Sequence, residues 1–409
     1  MSKNPDSASM IFQSCTLNRN PVEKWNYSSC GYVGNIISIS NHEAFETGLD
    51  CFLDTSKGKY ISRNFLKSLI ESTLIGCKSH SDLEVNIRTQ WFNDHIKTLA
   101  KARDFKVVKT VFGGEIINSS QPIKLGVLTF YEVPRHGDRI KLPFDNPYFL
   151  QNQPAKTVAE YCALSKDEDK ALELADVVFN SFDLSMAFLL AERNLDFSIG
   201  ILRKRFAPIQ QPIVFTDGGL FGKDEKNHNF KPELDLTKLA RFCPDQKEST
   251  LKSLFNIALS PRTEIEKKIS RSIEWLGEAY LDNNHSSALL KIVIALEALF
   301  KVDERSVITA SIMASMAEQC AYINGRSAEH CVQIESYVKG IYGLRSSIVH
   351  TGSSSVRETI LKKALEFTRA TIFNLLFMKL DLEIETMSKL QELIRAGKYK
   401  ACPIWHPKI

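Results

Sequence analysis

Residues 288–300 read ALLKIVIALEALF, a run in which only Lys291 and Glu297 carry charge. A helix that is apolar on every side must be covered on every side, by other helices or by lipid. Lipid is excluded by length, because a membrane span needs about 18–20 uncharged apolar residues and this run is shorter and twice interrupted. The stretch therefore predicts the central, buried helix of a bundle, and residues 282–287, DNNHSS, supply side-chain oxygens suited to capping its start.

Helical periodicity continues on both sides. Upstream, Ser260 and Pro261 suit an N-cap and first helical position, and Ile265, Ile269, Ile273, Leu276 and Tyr280 fall on one apolar stripe. Downstream, helices are predicted over Arg305–Cys320, Ser327 to about Val349, Arg357–Met378 and Leu380–Arg395, the last stopping near Gly397 before the tail ACPIWHPKI. Residues 251–409 read as an all-α bundle.

Residues 1–250 are mixed. Residues 1–60 read as loop with short β-type runs at Gly34–Ile39 and Lys59–Ile61; helices follow over Ser62–Gly76 and Leu83–Ala102, the second with Trp91 and Ile96 turned inward. FKVVKTVF from Phe105 and IKLGVLTFYEV at 123–133 predict a sheet, and the Pro-, Gly- and Asp-rich segment Pro134–Pro154 predicts a surface loop or subdomain junction. A long helix is predicted over Asp167–Glu192, with extended signals at Leu195–Leu202 and Gln211–Phe215. The fold class is α+β: a mixed N-terminal region with a sheet, possible as two subdomains, and then the helical bundle.

Composition bounds the function. The 409 residues are 44% hydrophobic and 24% charged, an ordinary globular balance with ample core. Of the net charge of +4, all lies beyond residue 250, where Lys and Arg outnumber Asp and Glu by 21 to 17 against 31 of each before it. That excludes a broadly basic nucleic-acid surface and leaves room for a local basic groove. The nine cysteines are scattered without zinc-ligand spacing and read as reduced thiols, with no metal or cofactor expected. The first residues, MSKNPDSASM, lack the apolar core of a signal peptide, so the expected location is the cytoplasm with no membrane partner.

Two motifs carry little. DGGLFGK at Asp217–Lys223 imitates a phosphate loop, but Asp217 replaces the first glycine and Asp224 the Ser or Thr that would hold Mg²⁺, so it reads as a turn. Arg203, Lys204 and Arg205 form a basic triplet that reads as a solvated strand end.

The stretch that carries chemistry is IYGLRSSIVHTGS at Ile341–Ser353, where Arg345 and His350 stand five residues apart as an apolar helical pattern runs out. The spacing is not unusual by itself, and Arg88 and His95 form a rival. Five residues turn a helix by about 140°, so the pair shares a face only if the helix distorts near Ser346–Val349 or a second chain completes the site. The plain alternative is a helix end where both cations favour the negative dipole terminus. Tyr342 and Ser347 read as packing and capping residues.

IYGLR followed by R-x4-H, preceded by IVIALEALF and SIMASMAEQCAYI, resembles the Apea-like branch of the HEPN domains over roughly residues 260–380. The resemblance implies a bundle that dimerises so that two Arg–His pairs meet in one cleft, forming a metal-independent endoribonuclease used against phage or in toxin systems. Residues 1–250 carry no motif that matches; the expected role for them is sensing or regulatory, with a phage-derived trigger or a regulatory protein as partner. Family members often carry Asn, Asp or His after the arginine; Ser346 stands there in this chain, a weaker polar assistant.

The side chains suit that chemistry. Histidine titrates near neutral pH and can move protons to and from the 2′-hydroxyl and the 5′ oxygen, while a forked guanidinium suits a phosphate. The expected roles are proton transfer or leaving-group stabilisation for His350 and the phosphate clamp for Arg345, with Glu297 and Ser346 in support. A non-catalytic module that binds RNA, a nucleotide or a partner protein is the alternative from a different class.

Overall fold

A computed structural model of the chain describes residues 7–17, 37–76, 85–99, 101–117, 119–133, 157–191, 199–202, 213–216, 219–222, 234–241, 250–300, 312–351 and 356–400. The fold is α+β. The chain forms two compact units, residues 1–107 with 162–177 and residues 108–161 with 178–409. The change to uninterrupted helix near residue 250 falls inside the second. Pro134–Pro154, the Arg203–Arg205 triplet and the tail ACPIWHPKI lie outside the described residues.

The first unit holds helices α1 (Ser7–Gln13), α2 (His42–Leu53), α3 (Arg63–Gly76) and α4 (Val85–Thr98), with strands β1 (Cys15–Leu17) and β2 (Ile37–Ile39) paired antiparallel. Residues 42–53 correct the loop expected there. Asn41 caps the helix by accepting the Ala44 N–H, and Phe45, Leu49 and Phe52 bury one stripe. Gly48 interrupts that stripe in the sequence because α1 presses against it; a β-carbon there would lie 2.9 Å from Ile11 Cγ1. Lys59–Ile61 is a turn and not a strand. On α4 the buried residues are Phe92 and Ile96, with Phe92 edge-on to Phe12 and Phe52. Trp91, expected inside, is 46% exposed, since it stands about 100° round the helix from Phe92.

The chain passes between the units in strands β3 (Arg103–Thr110) and β7 (Thr157–Ser165) and in helix α5 (Glu168–Leu190). β4 (Gly114–Glu115), β5 (Ile123–Leu125) and β6 (Leu128–Glu132) follow β3, and the four-stranded sheet runs β3-β7-β6-β5. β5 and β6 pair across a two-residue turn where Gly126 takes φ +58° and lies against the Phe255 carbonyl, a place closed to any side chain. β8 (Ile213–Thr216) and β9 (Gly219–Gly222) pair antiparallel with Thr216 opposite Gly219, so Gly219–Gly222 of the glycine-rich piece is a strand. β10 (Leu234–Asp235) pairs parallel with β4.

The remaining helices are α6 (Leu236–Arg241), α7 (Thr250–Leu259), α8 (Glu264–Tyr280), α9 (His285–Phe300), α10 (Ile312–Asn324), α11 (Ala328–Thr351), α12 (Glu358–Leu382) and α13 (Met387–Lys400). α9 is the buried centre: Ala288, Leu289, Ile292, Val293, Ala295, Leu296 and Leu299 are all without solvent exposure. Its Ala295 carbonyl accepts from Ser272 on α8, so a buried hydroxyl is satisfied in the helix–helix seam. The cap of α8 is Thr263 and not Ser260, because Glu266 answers it in a reciprocal capping box that Ser260 could not form. α12 runs past Met378 until Glu383, with φ 49°, stops it in a left-handed cap, and α13 starts seven residues later than the sequence stripe indicates.

Candidate functional site around Arg345 and His350

Helix α11 starts where Ser327 Oγ accepts the His330 N–H. Ile334, Val338 and Ile341, spaced four and three residues apart, bury one face in the bundle. Arg345 is the next step of that same stripe. The apolar row therefore ends in a guanidinium, half-buried at the edge of the core. The Tyr342 ring packs against the core, and the Arg345 guanidinium carbon lies 5.7 Å from its centre. Tyr337, one turn earlier than Ile341, sets its ring edge-on to Phe367, and burial, with Glu366 adding to it, pushes its hydroxyl up from the ordinary value.

His350 lies in the last turn of α11 and is exposed. A cation there is favoured by the helix dipole. The helix is continuous from Ala328 to Thr351, so no unwinding near Ser346–Val349 turns the two side chains together. They diverge by about 140° and are set about 7.5 Å apart along the axis. Within one chain, Arg345 faces the bundle edge and His350 faces outward.

Among the described residues, nothing covers the outward face of α11. Val332 is 68% exposed and Leu344 38%, and Ser336 and Ser347 are exposed on the same side. Gly340 and Gly343 have no described atom within 4 Å of where a β-carbon would stand. Ser336, Gly340, Gly343 and Ser347 repeat at four, three and four residues, so one side of the helix is both small and open. Sequence periodicity of apolar residues misses this face, although the spacing of the small residues could have marked it.

Ser346 is half-buried next to Arg345, as the sequence allows. Glu297 is half-buried on α9, and among the described residues neither Arg345 nor any other cation forms an ion pair with it. The other charge of α9, Lys291, is taken up by Asp282 at 2.7 Å and Glu278 at 3.8 Å. The structure thus brings Arg345 together with Tyr342 and leaves Glu297 apart from it.

The rival pair lies on α4. Arg88 is half-buried on α4, where its charge bears on the Cys15 thiol, which burial pushes up to about 12. His95 is exposed on an open groove with Trp91, Asp94, Ser72 and Gly76. Among the described residues no three His, Cys, Asp or Glu side chains gather to hold a metal ion, and no helix is long and apolar enough to cross a membrane. No family model, curated protein or solved structure matches the chain.

Proposed function

We propose that the chain is a metal-independent endoribonuclease of HEPN type that acts as a homodimer in the cytoplasm, as a toxin-like effector of antiphage defence. The observation that carries this reading is the uncovered face of α11, on whose side His350 lies, at the end of the helix where Arg345 closes the buried stripe. A second copy paired at the C-terminal end of that helix, where Arg345 leaves the buried stripe, would supply what one continuous helix does not: a histidine from one chain opposite an arginine from the other.

In such a cleft His350 takes the 2′-hydroxyl proton or returns one to the 5′ oxygen, and Arg345 holds the phosphate oxygens as they gain charge. The 2′ oxygen bonds to phosphorus and the bond to the 5′ oxygen breaks, leaving a cyclic phosphate and a 5′-hydroxyl end. The reaction needs the 2′-hydroxyl, so DNA is not cut. Ser346 offers a hydroxyl to the same phosphate, and Glu297 a buried-side carboxylate in a longer-range supporting role. Residues 1–250 hold the nuclease in check or sense a phage-derived trigger.

The divergence of Arg345 and His350 along a straight helix favours one other reading, a non-catalytic module that binds RNA, a nucleotide or a partner protein. Sequencing of RNA 5′-hydroxyl ends after expression of wild type and of His350→Ala separates the two. New ends that vanish in the variant support the nuclease. Identical end profiles in wild type, His350→Ala and Arg345→Ala, with RNA still bound, favour the binding module.

A further inference from the structure

We infer that Tyr342 is the positioning residue for Arg345, holding the guanidinium over its ring so that the N–H edge stays free for a phosphate of RNA; this rests on the nuclease reading above. A long side chain at a bundle edge loses rotamer freedom when it clamps a ligand, and a clamp that is already held loses less. A carboxylate could hold Arg345, but it would occupy the same N–H donors that a phosphate needs and would cancel the charge. An aromatic face does neither, because it attracts the cation through its π surface.

The geometry fits that role. Tyr342 stands three residues before Arg345 on α11, the spacing at which side chains of one helix meet. Its ring is fixed from behind by the bundle core, and the guanidinium carbon at 5.7 Å lies inside the range of about 6 Å for a cation–π contact. Among the described residues Arg345 has no ion pair that competes with this contact. Only the ring is needed, so phenylalanine should serve as well as tyrosine.

The test uses full-length protein and a 2′-O-methylated RNA that cannot be cut. A contact of this kind is worth about a 2- to 5-fold change in affinity at a partly exposed site. Tyr342→Leu should weaken binding of that RNA by this factor, Tyr342→Phe should restore wild-type binding, and Tyr342→Leu should add nothing to Arg345→Ala. A loss that Tyr342→Phe does not repair, or that persists unchanged in the Arg345→Ala background, overturns the inference. Proton NMR of arginine-labelled protein gives a readout that needs no RNA. The Arg345 δ-methylene signal, assigned with Arg345→Lys, should be shifted upfield by the ring in wild type and Tyr342→Phe but not in Tyr342→Leu. An unshifted signal in an active nuclease sinks the positioning role alone. A shifted signal in a protein that neither binds nor cuts RNA removes the nuclease reading, and the positioning role falls with it.

Discussion

Asp167 ties the starts of two helices in the first unit. Its Oδ2 accepts the Ser62 N–H at 2.9 Å, and its Oδ1 accepts the Lys170 N–H at 2.9 Å to cap α5. Ser62 in turn caps α3 by accepting the Phe65 N–H. Asp167→Ala leaves two backbone donors without partners, and the expected loss is about 1–3 kcal/mol, read as a lower urea midpoint with an unchanged slope. Asp167→Asn keeps one accepting oxygen and should lose roughly half as much. In the second unit Arg369 serves the other kind of helix end, donating from Nε to the Phe188 carbonyl at 2.9 Å and from Nη2 to the Leu189 carbonyl at 2.8 Å. Lysine cannot reproduce that fork, so Arg369→Lys should cost about 1–2 kcal/mol in the same measurement. An unchanged midpoint in either series would show that water replaces these bonds at no cost.

At the scale of the element, α11 separates what a helix needs for folding from what its open face is for. Gly340 meets no described atom within 4 Å of where a β-carbon would stand, so Gly340→Gln should leave the monomer folded and stabilise it by about 0.5–1 kcal/mol, since glycine inside a helix is unfavourable. If a second copy seats there, the same change should weaken self-association at least about tenfold, a difference of 1.4 kcal/mol or more, and abolish RNA cleavage. Sedimentation and a thermal melt read both effects; a dimer undisturbed by Gly340→Gln would remove α11 as the pairing face. The bundle was legible because burial repeats: Ile265, Ile269, Ile273 and Leu276 sit where their spacing puts them, all buried. α2 was not, because Gly48 breaks its stripe for a packing reason that involves α1, which a local pattern does not contain. Trp91 misled for the complementary reason, since a large apolar side chain invites burial while the narrow stripe of α4 is filled by Phe92 and Ile96. The Arg345–His350 pair could be read as a spacing at a helix end. That the helix stays straight and that its far side is open depend on tertiary structure, and apolar periodicity registers only what is covered.

Across the bundle, carboxylates of α8 and its C-terminal turn close the fold between segments far apart in sequence, and this sets its response to acid. Glu266 completes the capping box and meets Lys379 of α12 at 2.7 Å, while Glu264 accepts the Met387 N–H that opens α13. Burial alone would raise the Glu266 carboxyl; the Lys379 hydrogen bond and the N–H groups of Arg262 and Thr263 outweigh it and hold the group below the usual carboxylate range. Asp282 behaves alike, with burial overcome by hydrogen bonds from Lys291, Ser287 and Asn284. A carboxyl lower in the folded than in the unfolded chain gives stability that is fully present above the unfolded value, about 4.3 for Glu and 3.9 for Asp. That stability disappears as pH falls through the lower folded values. The melting temperature should therefore be insensitive to these groups from pH 6 to 8, taken as roughly two units above their unfolded values, and should fall as pH drops below about 4. Lys379→Met removes the cation that lowers Glu266. It should lower the melting temperature at neutral pH and make the acid slope shallower, because less of the stability then depends on Glu266 staying charged. A slope as steep in Lys379→Met as in wild type would place the acid sensitivity elsewhere in the chain.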